Sequence, residues 1–445
     1  PADLQRLESA MYCAIDFGTS NSAVAIPDGA GAMRLVELEA GATTMPTAVF
    51  YGADGSGPQR EFGRAAVAAY VDGIDGRLMR SMKSILGSSL IDQTTDIGGG
   101  RGVKYLEVVS CYLRHLKRRA EAAAGARIER ALLGRPVYFV DDDPARDAAA
   151  QRALESAARQ AGFSEIEFQY EPIAAALDYE RSAAVEQIVL VADIGGGTSD
   201  FSVVRVGPQR AAAADRKADI LANHGVHIAG TDFDRRIELA SILPEFGYGA
   251  LGPAAPGGVA REVPSAVYFD LATWHLINTV YNPQRVAELR RMRAFYAEPK
   301  QHRRLLAVLT ARLGHDLLAR AEAAKIAVSE GGAARIELDR VEPGLAVELS
   351  EDAAQPALAP DLERIVAAAR DTVRQAGLAP GAIDALYFTG GSTGLRLLTR
   401  RLADTFGSAK VVRGDRYASV VTGLGLHARR RYDPRSIGRA AEMWR

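Results

Sequence analysis

Apolar and polar positions follow two periods along this chain, and the change of period separates strands from helices. Residues 11–16 form a short apolar run rich in strand formers, 17–22 a polar turn, and 23–26 a returning strand. Residues 187–193 repeat the theme. An apolar run from Ile188 to Ala192 leads into the turn Asp193-Ile194-Gly195-Gly196-Gly197-Thr198, and 201–206 reads as the return strand. An apolar strand ending on aspartate, a Gly-Thr turn and a second strand therefore occur twice. This repetition predicts a duplicated α/β architecture, each half a sheet with packed helices.

Spacings of three and four predict helices over 61–70 and 105–124. In the second, Leu106, Val109, Leu113, Leu116 and Ala120 share one face. Residues 144–160 predict another helix, with Asp143 as N-cap and proline in the first turn. Further on, 247–258 reads as a Gly/Pro-rich loop and 270–329 as mostly helical. The basic run 285–304 within it reads as a solvated helix face. Residues 361–375, 395–406 and 417–431 predict helices, and 382–389 a strand that closes on the tight turn Gly390-Gly391.

The 445 residues, 48% hydrophobic and 24% charged, suffice for two to four compact units. A net charge of -1 supplies no basic field for nucleic acid. No run approaches the roughly 18 apolar residues of a membrane span, and 1–10 lacks a signal-peptide pattern. Cys13 and Cys111 fit no metal or disulfide framework and read as reduced core residues. A cytoplasmic monomer is the expectation.

The glycines cluster, and the chemistry follows them. Gly18 in the first turn and Gly195, Gly196 and Gly197 in the second let backbone N–H groups converge on a phosphate. Thr19, Ser20 and Thr198 add hydroxyls. Asp16 and Asp193, expected at the carboxyl ends of adjacent strands, can hold magnesium through water. One such turn alone is weak, because glycine-rich hairpins often bind nothing; two copies on similar strands point to a phosphate clamp.

The segments Asp16-Phe17-Gly18-Thr19-Ser20-Asn21-Ser22 and Asp193-Ile194-Gly195-Gly196-Gly197-Thr198-Ser199-Asp200 resemble the two phosphate motifs of DnaK-type heat-shock chaperones. Tyr170-Glu171-Pro172-Ile173-Ala174-Ala175-Ala176 is similar to that family's connecting motif. His227-Ile228-Ala229-Gly230-Thr231-Asp232-Phe233-Asp234 resembles its Gly-Gly-x-Asp-Phe-Asp stretch, and Met82-Lys83-Ser84-Ile85-Leu86-Gly87 the segment of its catalytic lysine. Glu322-Ala323-Ala324-Lys325-Ile326-Ala327-Val328-Ser329 and Thr389-Gly390-Gly391-Ser392-Thr393 resemble its adenosine motifs.

The resemblance implies an actin-like ATPase fold of two lobes and a cleft for ATP or ADP with magnesium, with potassium a further candidate ion. Asp16, Lys83, Glu171, Asp193 and Thr198 would be the catalytic set, with Asp200 joining Asp16, Asp193 and Glu171 around the metal. Gly230 and Thr231 would approach the terminal phosphates. Glu322 and Lys325 would bind the ribose and Ser329 the base, while Gly390, Gly391 and Ser392 would meet the nucleoside and α-phosphate. Two arginines that sandwich adenine in the family correspond here to Ile326 and Gly394, with Arg396 two residues on.

The implied layout is an N-terminal extension (1–10), lobe I (11–178), lobe II (179–427) with a helical subdomain near 241–320, and a basic tail (428–445). The expectation is a chain without a peptide-binding domain, a pattern similar to the shortened YegD-like bacterial members. The resemblance implies a slow ATPase that switches a protein partner bound on the lobe surfaces, the least family-like stretch, 241–320, being the expected partner face. A nucleotide sensor without turnover and a small-molecule kinase are the alternatives, and no acceptor-pocket motif supports the kinase.

Overall fold

The strand that carries Asp16, β1 (Met11–Phe17), lies inside a six-stranded sheet. Its companions are β2 (Asn21–Pro27), β3 (Met33–Leu35), β4 (Thr44–Pro46), β5 (Ile128–Arg135) and β6 (Glu165–Tyr170). The order is β6-β5-β1-β2-β3, with β4 also on β2. A second sheet holds β7 (Gln187–Ile194), β8 (Ser199–Val206), β9 (Ile220–Val226), β10 (Ala385–Thr389) and β11 (Lys410–Arg413), in the order β9-β8-β7-β10-β11. The two orders correspond strand for strand. β1 pairs antiparallel with β2 and parallel with β5; β7 pairs antiparallel with β8 and parallel with β10. The doubled sequence pattern is thus a doubled sheet.

This computed structural model describes residues 11–29, 32–53, 59–98, 100–140, 143–180, 183–211, 213, 216–254, 259–329 and 332–433. The extension 1–10, most of the expected tail (434–445) and 255–258 of the expected loop lie outside the described residues.

Helix α1 (Tyr105–Ala124) has the expected bounds. In α2 (Pro144–Ala161) the Asp143 carboxylate caps the Arg146 N–H. The helix expected over 61–70 starts at Gly63, because Glu61 and Phe62 belong to a small sheet of Ala48–Gly52, Arg60–Phe62 and Gly76–Arg80. The helix expected from 361 begins ten residues earlier as α6 (Glu351–Gln375), and Pro356 and Pro360 lie inside it. Buried Ala354, Leu358, Leu362, Ile365 and Ala369 hold that face to the core, and tertiary packing outweighs the proline penalty. The basic run is only partly solvated: Arg304 is buried between Glu245 and Glu342.

Two helices cross between the sheets: α3 (Glu171–Glu180) and α7 (Ser419–Tyr432). They share an apolar cluster with Ala14, Ala23, Ala25 and Leu132 of the first sheet and Val189, Val191, Val204 and Tyr387 of the second. The first residues of the expected tail are therefore helical and packed, with Tyr432 against Tyr12 and Arg431 paired with Glu167. The halves touch again elsewhere. Tyr70 stacks on Trp274 with centroids 5.0 Å apart, the Arg80 guanidinium lies 4.2 Å over Trp274, and His315 meets both rings edge-on. His315 belongs to α5 (Gly314–Ser329). Among the described residues, no helix is long and apolar enough to cross a membrane.

Candidate functional site

All the residues given a catalytic, metal or nucleotide role from the sequence line one cleft of about 850 Å³ between the sheets; Arg396 lies outside it. Asp16 and Asp193 end β1 and β7, which belong to different sheets, so the expectation of adjacent strands is corrected. They meet because two like sheets present corresponding strand ends to one space. Asp200 faces Asp193 across the β7–β8 pair.

Burial, then Glu171, pushes the Asp16 carboxyl up to about 8, and burial, then Asp200, pushes Asp193 up to about 7. Lys83 sits among them on a short 3₁₀ turn, Met82–Ile85, and its Nζ is 2.5 Å from Glu171 Oε1. Burial alone would lower this lysine, but Glu171 and Asp16 outweigh it and hold it above its ordinary value. The floor is thus a cation within a ring of carboxyls that resist ionising together. Among the described residues, no three Asp, Glu, His or Cys side chains are placed to grip an ion directly. A cation here would be held through its waters by Asp16, Asp193, Asp200 and Glu171, the manner that suits magnesium.

The second turn is shaped from behind. Gly195 O accepts from Ser392 Oγ at 2.7 Å, and Gly196 O accepts from Thr231 Oγ1 at 2.9 Å and Thr231 N at 2.8 Å. Carbonyl and following N–H point opposite ways in a trans peptide, so Gly196 N–H and Gly197 N–H turn forward. The hydroxyls of Thr231 and Ser392 are occupied in forming this nest. Gly390 has φ +88° and a side chain there would lie 2.7 Å from Asp193 Oδ1, so only glycine closes this corner.

At the other end, Glu322, Lys325, Ile326 and Ser329 share the cleft face of α5. Lys325 Nζ lies 2.6 Å from Asp234 Oδ1, and Ser329 Oγ donates to Lys325 O. Asp234, on α4 (Gly230–Ile237), fixes the lysine and had no role assigned from sequence. Arg416 and Tyr417 were also missed. The guanidinium of Arg416 covers Gly394, where a side chain would meet Nη1 at 2.8 Å, and Tyr417 lies against Gly391. Tyr417 precedes the last helix, because Asp415 Oδ1 accepts from the N–H groups of Tyr417 and Ala418 and delays its start to Ser419. That aspartate turn was the available signal.

The sequence model of the family described as Hsp70 protein matches residues 12–247, more than half of the chain. The chain belongs to the Hsp70 family. Its two like sheets are the actin-like ATPase fold of that family. Curated relatives include the chaperone protein HscA homologs of Aromatoleum aromaticum, 27% identical over 431 residues, and of Azotobacter vinelandii, 28% identical over 434; each match covers 93% of this chain and 57% of that protein. The HscA homolog of Methylobacillus flagellatus is 34% identical over 240 residues, 50% of this chain and 36% of that protein. This Hsp70 chain thus spans less than two thirds of the relatives it matches.

Proposed function

We propose that the cleft binds ATP with magnesium and hydrolyses it slowly, and that the two lobes act as a nucleotide-dependent switch on a protein partner. The observation that carries this reading is the pair of like aspartate turns facing one cleft, with Lys83 and Glu171 between them. Bound magnesium would neutralise charge on the phosphates and on the crowded carboxyls. Asp16, Asp193 and Asp200 would hold its waters. Lys83 would set a positive charge at the terminal phosphate, and Glu171, which fixes that lysine, would orient the attacking water. The N–H groups of the two turns would receive charge developing on the transferred phosphoryl group. Catalysis of this kind is positioning and electrostatics. Glu322 and Lys325 would hold the ribose, and the base would lie between Ile326 and the Arg416–Tyr417 wall.

The test is single-turnover hydrolysis with magnesium, with and without potassium, in wild type and Asp193→Asn. The variant keeps the glycine nest and removes a charge near the metal, so turnover should fall roughly a hundredfold while ADP affinity stays within about threefold. Equal rates would remove Asp193 from the mechanism. A wild type that binds ADP without turnover would leave a nucleotide sensor instead.

A further inference from the structure

The turns of the two lobes differ in how their backs are held. Behind the second turn stand Ser392 and Thr231, both lining the cleft; behind the first stands a residue outside it. Thr47 lies between β4 and the small sheet, is 1% exposed, and is absent from the cleft lining. Its Oγ1 donates to Gly18 O at 2.8 Å, and its backbone N–H donates to Ser20 O at 2.9 Å. Its oxygen is also 2.8 Å from Ser22 Oγ. The only hydroxyl proton of Thr47 goes to Gly18 O, so Ser22 donates to Thr47. The neighbouring Pro46 O accepts from Tyr112 OH at 3.0 Å, and Tyr112 is fully buried in α1. The brace therefore rests on a fixed wall.

Two carbonyls of the first turn are drawn backward by this one residue. Their peptide planes carry the N–H groups of Thr19 and Asn21 on the opposite side, toward the cleft that both residues line. This is the geometry that Thr231 and Ser392 impose on Gly196 and Gly197. We propose that Thr47 is a positioning residue for the terminal phosphates: it aims the donors of the first turn without touching the ligand. The inference rests on the nucleotide-binding reading above. Without its hydroxyl, Gly18 O is a half-buried acceptor lacking its partner, and the plane is free to rotate.

The experiment compares wild type, Thr47→Val, Thr47→Ser and Ser22→Ala. Calorimetry with magnesium measures affinity for ADP and for a non-hydrolysable ATP analogue, and single-turnover hydrolysis is run beside it. Thr47→Val, nearly isosteric, should weaken the triphosphate about five- to tenfold and leave ADP within about twofold. Turnover should fall with the triphosphate affinity, and Thr47→Ser should restore both. Ser22→Ala should show the same selective loss at about half the logarithmic size, which keeps the idea testable if Thr47→Val does not fold. Equal losses for both nucleotides, no loss, or a loss that serine does not repair would overturn the assignment. A wild type with the triphosphate preference but no turnover would defeat the ATPase reading and leave the brace standing. A wild type that binds neither nucleotide would defeat both.

Discussion

Glu238 stands one helical turn beyond Asp234 and opens a π-helical stretch, Glu238–Ile242. It is fully buried, and among the described residues neither carboxyl oxygen has a hydrogen-bond partner. Burial first, then Asp234, raises it well above the ordinary 4.5. A carboxyl that holds its proton more tightly when folded stabilises fully below its unfolded value, and that contribution disappears as pH rises through the folded value. Glu238→Met should therefore gain on the order of 1–3 kcal/mol near pH 8 and much less near pH 5. Urea unfolding at both pH values decides it; a gain independent of pH would place the cost elsewhere. A second residue-scale expectation concerns the base. Ile326 is half exposed on the cleft face. Ile326→Arg should tighten ADP by on the order of 1 kcal/mol through stacking, and calorimetry showing weaker binding would put the base elsewhere. At this scale the sequence displayed the aspartate turns, Lys83 and Glu171 because each lies in a contiguous motif. It hid Arg416, Thr47 and the pairing of Asp234 with Lys325, whose meaning exists only through partners distant in the chain.

Helix α3 and helix α7 approach each other at Gly423, where a side chain would lie 1.9 Å from Ala174 O. Backbones this close need glycine at the crossing, and the surrounding alanines keep the joint thin. Gly423→Ala would force the helices apart and should cost about 1–3 kcal/mol, read as a lower melting temperature. Unchanged melting would show that the joint yields freely. Elements with one strong period were legible: α1 matches residue for residue, and Asp143 and Pro144 mark the start of α2. Elements whose local signals oppose their packing were not. Pro356 and Pro360 hid ten residues of α6, and the short strands of the small sheet carry too few positions to show alternation.

On the scale of the molecule, duplication leaves two rigid sheets that meet along two helices at one place and along a ring cluster at another. The duplication into two sheets was visible in the doubled motif, though not their strand order; the ring cluster was not, because Tyr70, Arg80, Trp274 and His315 come from four separate segments. That cluster has an optical consequence. Trp274, in lobe II, is covered by the Tyr70 ring and the Arg80 guanidinium, both from lobe I. The chain has two tryptophans, and the other, Trp444, lies outside the described residues. In a Trp444→Phe background, the indole emission becomes a gauge of whether the lobes are in contact. Adding ADP or ATP should shift its intensity and quencher access if the lobes separate or close, and Tyr70→Ala should set the emission at the open value whatever nucleotide is present. An emission indifferent to both nucleotides would mean that the halves of this protein move as one body, and the bound phosphates would then have no mechanical means of informing a partner.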